Sequence, residues 1–311
     1  MTVSSHAFAR SDEGLAQLLS ATLGETLGSA SITKRTALGT GTHPKELVEI
    51  EASEGQRRHL FVKYGGSVDL DPGGTRTGVL YEAQVYRDLL PLLDIRTVHY
   101  YGQVDPTDRL PVLVLDGLPD ALRVKKVPGG RAMIAAAGWL GSFHAQTTSM
   151  TECRHLSWVE RWPRSLLEKW CDPDSASPAH PKYREVLSYL VEHAIPDLLD
   201  EGHTIIHGEF YPKNILFHNE EVYPIDWESA AVAPSEFDLA MLIDGWPSEI
   251  REAARDEYAG MRWRRSATEA SRRRLRIAEM ILHARWLRTV NLTRDTANRR
   301  LPLLLELRQQ V

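Results

Sequence analysis

The sequence predicts an α+β fold in which a strand-rich first part leads into a larger, mainly helical second part. Strand-like runs follow one another at 30–37, 46–52, 59–64, 98–104 and 112–115, whereas helical periodicity dominates from residue 131 onward. Only short β-branched runs near 204–225 interrupt the helices. With 311 residues the chain can bury a large core and divide into two domains.

Each element has its own signal. Residues 10–28 read as an amphipathic helix with Leu15, Leu18, Leu19 and Leu23 on one side. Between the first two strands lies Leu38-Gly39-Thr40-Gly41-Thr42-His43, and a polar turn around Gly55 separates the second from the third. The third strand, HLFVKY, carries Lys63 after three apolar residues. The stretch 65–78, with DLDPGGTRTG, reads as a mobile loop, and YEAQVYRDLLPLL as a helix carrying Glu82 near its start. Helices are expected at 131–147, 165–170, 183–199 and 235–244. A capping box from Ser266 to Glu269 should open a last long helix to about residue 290.

The chemistry concentrates in HGEFYPKNIL, His207 to Leu216, followed by Asp226 in YPIDWE. The runs 204–206, 215–218 and 222–225 alternate with polar residues as strand, loop, strand, tight turn and strand. If Asn219-Glu220 is a two-residue turn, counting outward sets Asn214 opposite Ile225 and beside Asp226. Pro212 lacks a backbone donor and keeps the preceding loop out of a central strand, so Glu209 can fold back toward the same point. Phosphoryl transfer needs oxygen ligands for Mg²⁺ and a carboxylate that takes the acceptor proton; Asn214 and Asp226 suit the first task and Glu209 the second. A zinc site of His203, His207 and Glu209 is disfavoured, because residues four apart on a strand lie roughly 13 Å apart. His207 is therefore read as scaffold, and Asp238 as a buried loop anchor or helix cap.

HGE with an asparagine five positions later, then IDWE and SEFDLA, resembles the family of aminoglycoside phosphotransferases, choline kinases and related small-molecule kinases. The resemblance covers most of the chain in order and is specific over residues 204–240. It implies a protein-kinase-like two-lobe fold: an antiparallel sheet lobe with one main helix over residues 1–117, which binds nucleotide, and a helical catalytic and acceptor-binding lobe over residues 118–311. It also implies ATP or GTP as donor, Mg²⁺ bound by Asn214 and Asp226, and Glu209 as base. Lys63 would contact the donor phosphates and be held by Glu82, Gly39 and Gly41 would cover them, and the segment from Asp116 would meet the base as a hinge.

One position departs from the family pattern: Glu209 stands where aspartate is usual. The extra methylene matters, since about 1 Å of misplacement can cost around a hundredfold in rate. Two readings follow, an active enzyme whose loop is shaped for glutamate and a catalytically weak nucleotide-binding protein. A protein kinase is disfavoured, because Trp227-Glu228 follows Asp226 where Phe-Gly is expected and no A-P-E run appears.

Composition sets the remaining bounds. Hydrophobic residues make up 42% and charged residues 25%, ordinary for a globular enzyme. No apolar run approaches the roughly 20 residues needed to span a bilayer, and Cys153 and Cys171 form no metal or disulfide pattern, so a reducing cytoplasm is expected. The expected partner is a small-molecule hydroxyl compound, first an aminoglycoside-like or other sugar-containing one and in the alternative a choline- or amino-alcohol-type or other metabolite, with neither nucleic acid nor membrane. The net charge of −5 conceals a basic end: from Arg251 onward fifteen arginines face seven acids, giving +8. For the acceptor, Asp172, Asp174, Asp197, Asp200 and Glu201 could receive a cationic aminoglycoside, while the arginine-rich end argues the other way. Tryptophans such as Trp158, Trp162, Trp170 and Trp246 could stack on sugar rings or form a choline-type cage.

Overall fold

The structure, a computed structural model, describes residues 11–23, 31–39, 43–51, 55–65, 74–104, 110–175, 181–289 and 294–311. Most of the expected 65–78 loop, residues 24–28 of the first expected helix and Gly41 lie outside the described residues. The chain forms two compact units. The first comprises residues 1–71, 76–122 and 216–229, the second residues 72–75, 123–215 and 230–311.

In the first unit, α1 (Asp12–Leu23) precedes β1 (Ser31–Ala37), β2 (Lys45–Glu51) and β3 (Arg57–Tyr64). Helix α2 (Val79–Gln84) and strands β4 (Tyr100–Val104) and β5 (Val112–Asp116) follow. The strands form one five-stranded sheet in the order β1-β2-β3-β5-β4, and its four neighbouring pairs are all antiparallel. Its core joins Leu15, Leu18 and Leu19 of α1 to Val48, Ile50, Leu60, Val62, Tyr64 and Val114. Because side chains alternate along a strand, the residues between these on β3, Phe61 and Lys63, point to the opposite face.

The helix expected at 81–93 begins at Val79 and changes character midway, passing through a π turn at Val85–Leu89 into a 3-10 turn at Leu90–Leu92. Pro91 explains the ending, since it lacks the N–H that an α-helix would use. The hairpin of Ile215–His218 and Glu221–Pro224 belongs to the same unit from Leu216 onward. Asn219 and Glu220 both have positive φ, 50° and 63°, as the expected two-residue turn requires.

The second unit is built on α3 (Arg131–Thr147), found where the sequence put it, followed by α4 (Arg164–Trp170), α5 (Pro181–Tyr189) and α6 (Ile195–Leu199). The single helix expected at 183–199 is interrupted by a π turn at Leu190–Ala194, just before Pro196. After the strand His203–Ile206 come α7 (Glu236–Ile243), α8 (Ser248–Trp263), α9 (Glu269–Thr289) and α10 (Arg294–Gln309). Helices α8 and α10 and the strand Ala231–Pro234 were not anticipated. That strand pairs antiparallel with His203–Ile206, Ala231 opposite Ile206.

Two details explain how these helices settle. Gly141 lets α3 approach α8 closely, since a Cβ there would stand 2.6 Å from the Tyr258 carbonyl oxygen. The expected capping box does not form: α9 starts at Glu269, and Thr268 caps it, its Oγ1 accepting the Ser271 N–H at 3.2 Å. Ser266 lies too far upstream, and Glu269 pairs with Arg276 instead.

Candidate active site

The first unit gathers a charged cluster on the sheet face opposite α1. Lys63 Nζ donates to Glu82 at 2.6 Å and to Asp226 at 3.0 Å, and lies 3.6 Å from Glu228. β3 supplies the lysine, α2 the glutamate, and the segment after the hairpin the other two carboxylates. Burial alone would weaken the Lys63 ammonium, but Glu82, Asp226 and Glu228 outweigh it and raise its pKa well above the ordinary lysine value. It is therefore a fixed positive charge.

Asp226 adopts φ +65°, a left-handed conformation uncommon for a non-glycine residue. Such strain persists where the surroundings over-determine it, and here the two residues that follow are anchored: the Trp227 N–H donates to Glu82, and Thr77 N–H to the Glu228 carbonyl.

Glu228 also binds His43 at 2.9 Å and lies 3.4 Å from Arg76, tying the segment that leads into β2 to the cluster. Burial pushes the Glu228 carboxyl up, but the His43 hydrogen bond and Lys63 bring it below the usual range. Sequence reasoning gave His43, Arg76 and Glu228 no role, although Glu228 stands in the IDWE motif. Gly39 follows β1; among the described residues other than its chain neighbours, no atom lies within 4 Å of where a Cβ would stand. Asp116 ends β5; its N–H donates to the His99 carbonyl and that of Gly117 to the His59 carbonyl, so both donors are used within the sheet.

The second unit holds Glu209 and Asn214 on one tight loop. Gly208, at φ +79°, makes the turn that leaves the strand His203–Ile206. The Glu209 carbonyl accepts the Tyr211 N–H at 2.7 Å and Asn214 Nδ2 at 3.0 Å, while Asn214 N–H donates to the Tyr211 carbonyl at 2.8 Å. The amide of Asn214 is thereby oriented, its nitrogen committed to the loop. Phe210 is fully buried and stacks on Trp139 of α3, centroids 5.8 Å apart.

Asp238 anchors the loop from α7. Its two carboxylate oxygens accept the His207 N–H at 2.6 Å and the Gly208 N–H at 2.9 Å, and His144 Nε2 lies 3.2 Å away. Burial raises the Asp238 carboxyl to about 6. The His207 ring accepts the Glu209 N–H at 3.3 Å, the scaffold role expected of it. His144 is a buried packing residue, its ring also bonded to the Tyr258 hydroxyl. No group of three or more His, Cys, Asp or Glu side chains placed to hold a metal ion occurs among the described residues.

A sheet unit with a lysine–glutamate pair and a loop carrying a carboxylate and a carboxamide define a phosphotransferase of protein-kinase-like fold. The comparisons agree. The sequence matches the Phosphotransferase enzyme family over residues 68–276, and the chain belongs to that family.

Solved structures support the fold over nearly the whole chain. An aminoglycoside phosphotransferase in complex with GDP and kanamycin superposes with a TM-score of 0.63 at 13% identity, covering 96% of this chain and 99% of that one. Choline kinase from Cryptosporidium parvum gives 0.63 at 13% identity, covering 96% of each chain, and a microcompartment-associated aminopropanol kinase 0.63 at 15%, covering 95% of each. No curated protein matches the sequence. Among the described residues, no helix is long and apolar enough to cross a membrane.

Proposed function

We propose that the chain transfers the γ-phosphate of ATP or GTP to a hydroxyl of a small molecule, with sugar-containing compounds as the acceptor class. The observation that carries this reading is the buried Lys63–Glu82–Asp226 cluster, which costs too much desolvation to be an ordinary surface ion pair. Lys63, held by Glu82, neutralises the donor phosphates. Glu209 orients the acceptor hydroxyl and takes its proton as the oxygen attacks the γ-phosphorus and the bond to the nucleoside diphosphate breaks.

Each unit offers an oxygen donor of the kind a hard divalent cation takes. Asp226 offers carboxylate oxygen, and Asn214, whose nitrogen is committed to the Glu209 carbonyl, offers its amide oxygen. When bound, Mg²⁺ would draw charge from the β and γ phosphate oxygens. Beyond that, the chain's task is positioning: Asp238 and Phe210 fix the loop, and Glu228 ties His43 to Lys63.

Support for nucleotide use comes from the family and from a fold shared with kinases solved as GDP and AMP complexes. The test is acceptor-dependent release of ADP or GDP across a panel of hydroxyl compounds, with Asp226→Ala as the control. Loss of turnover in a variant with unchanged circular dichroism is expected; undiminished turnover overturns the assignment.

A further inference from the structure

The second unit contains a cavity of about 820 Å³ between α7, α8, α9 and α10, with Tyr211 on its wall. That volume suits a drug-sized ligand. Tyr211 is two residues from Glu209 and bonded to its carbonyl, so the cavity adjoins the proposed base within one unit. The acids suggested by the sequence for a cationic acceptor, at 172, 174, 197, 200 and 201, do not line it.

Four of the cavity's five carboxylates are already paired. Asp244 accepts from Arg300 at 2.8 Å, Glu269 from Arg276, and Glu252 from Arg255. Glu279, buried in the wall, accepts from Arg251 and lies 3.6 Å from Arg255. The two remaining lining charges, Arg272 and Glu306, are both exposed and of opposite sign. Burial lowers His283 to about 4, so it is neutral at working pH. The lining thus carries no net charge.

Two of the three lining aromatic rings are covered in the same way. Arg300 lies over the Trp286 ring at 5.4 Å, and Lys213 Nζ over the Tyr211 ring at 5.3 Å. An ammonium ligand would normally find a carboxylate or an aromatic face, and here the chain's own cations hold four of the five lining carboxylates and two of the three lining aromatic rings. What remains open is the wall formed by Trp246, Leu275, Leu282 and Leu303, apolar surface suited to a ring.

We infer that this cavity is the acceptor site and that it takes an uncharged, ring-bearing hydroxyl compound, selecting against cationic ones. The inference rests on the proposed phosphotransfer, and its test reads binding separately from turnover. Tryptophan fluorescence of the full chain is titrated with two matched pairs, kanamycin against its per-N-acetylated form and piperidin-4-ylmethanol against its neutral analogue cyclohexylmethanol. The neutral member of each pair is expected to bind at least about tenfold more tightly.

Arg300→Gln releases Asp244 and uncovers Trp286, and should shift that preference toward the cation by about tenfold, whereas Arg300→Lys should retain it. Tighter or equal binding of the cationic members by the unaltered chain, or binding of neither member, overturns the inference. Selective binding of neutral compounds without phosphate transfer supports the cavity assignment and counts against the phosphotransfer reading instead.

Discussion

The Lys63 ammonium sits 2.6 Å from the Glu82 carboxylate, with 2% and 1% of the two side chains exposed. A pair so buried is stable only because Asp226 and Glu228 add further negative charge around the lysine. The order of two substitutions follows. Lys63→Met strands three carboxylates and should cost about 3–5 kcal/mol. Glu82→Gln leaves Lys63 with two acceptors and should cost less, about 1–3 kcal/mol. Urea unfolding of both variants checks the ranking; a larger loss for Glu82→Gln would show that Asp226 and Glu228 do not hold the lysine.

Glu209 invites a substitution toward the family's usual residue. Its backbone is pinned by the Tyr211 N–H, by Asn214 Nδ2 and by the burial of Phe210, so the loop cannot advance to compensate for a shorter side chain. Glu209→Asp should therefore lower kcat by about ten- to a hundredfold, the cost of roughly 1 Å of misplacement. Glu209→Gln should lower it by at least about a hundredfold, with KM for the nucleotide little changed. Steady-state kinetics decides. A faster Glu209→Asp enzyme would mean that the loop is not shaped for glutamate.

The sequence made local geometry legible where turn chemistry was strong. The Asn219-Glu220 turn, α3, the five sheet strands and the scaffold role of His207 all follow from short-range pattern. It failed where packing decides. Helix α8 buries only Ala254, Tyr258 and Ala259 along sixteen mostly polar residues, too thin an apolar stripe to announce a helix. The π turns before Pro196 and Pro91 reflect how the chain absorbs a missing donor within a packed helix. His43 and Arg76 lie 185 and 152 residues before Glu228, and no spacing rule connects them.

Asp238 gives a pH prediction. Its carboxyl is raised by burial from 3.8 to about 6, so between these values the folded chain holds a proton that the unfolded chain has released. The group therefore weakens the fold above about pH 6, and this penalty disappears as the pH falls. Asp238→Asn removes the titration and turns an amide donor toward groups that need an acceptor, the His207 and Gly208 N–H. The variant should be less stable at pH 7, and the deficit should grow by up to about 3 kcal/mol toward pH 4 as the unaltered chain sheds its penalty. Thermal melts of both proteins at pH 7 and 5 check the sign; a gap that narrows on acidification would contradict it.

The start of α9 offers a test free of catalysis. Thr268 Oγ1 accepts the Ser271 N–H, satisfying one of the donors that a helix start leaves without an intrahelical partner, whereas Ser266, favoured by the S-x-x-E spacing, stands outside the helix. Thr268→Ala should cost about 1 kcal/mol and Ser266→Ala close to nothing. The consequence reaches the cavity, because Glu269, at the first position of α9, and Arg276 two turns later form one of its paired walls. Fraying the first turn of α9 should free Arg276 from Glu269, so Thr268→Ala should also alter the ligand response of Trp246 and Trp286 fluorescence, while Ser266→Ala should not. Equal stability losses in the two variants would restore the capping box and remove Thr268 from this role.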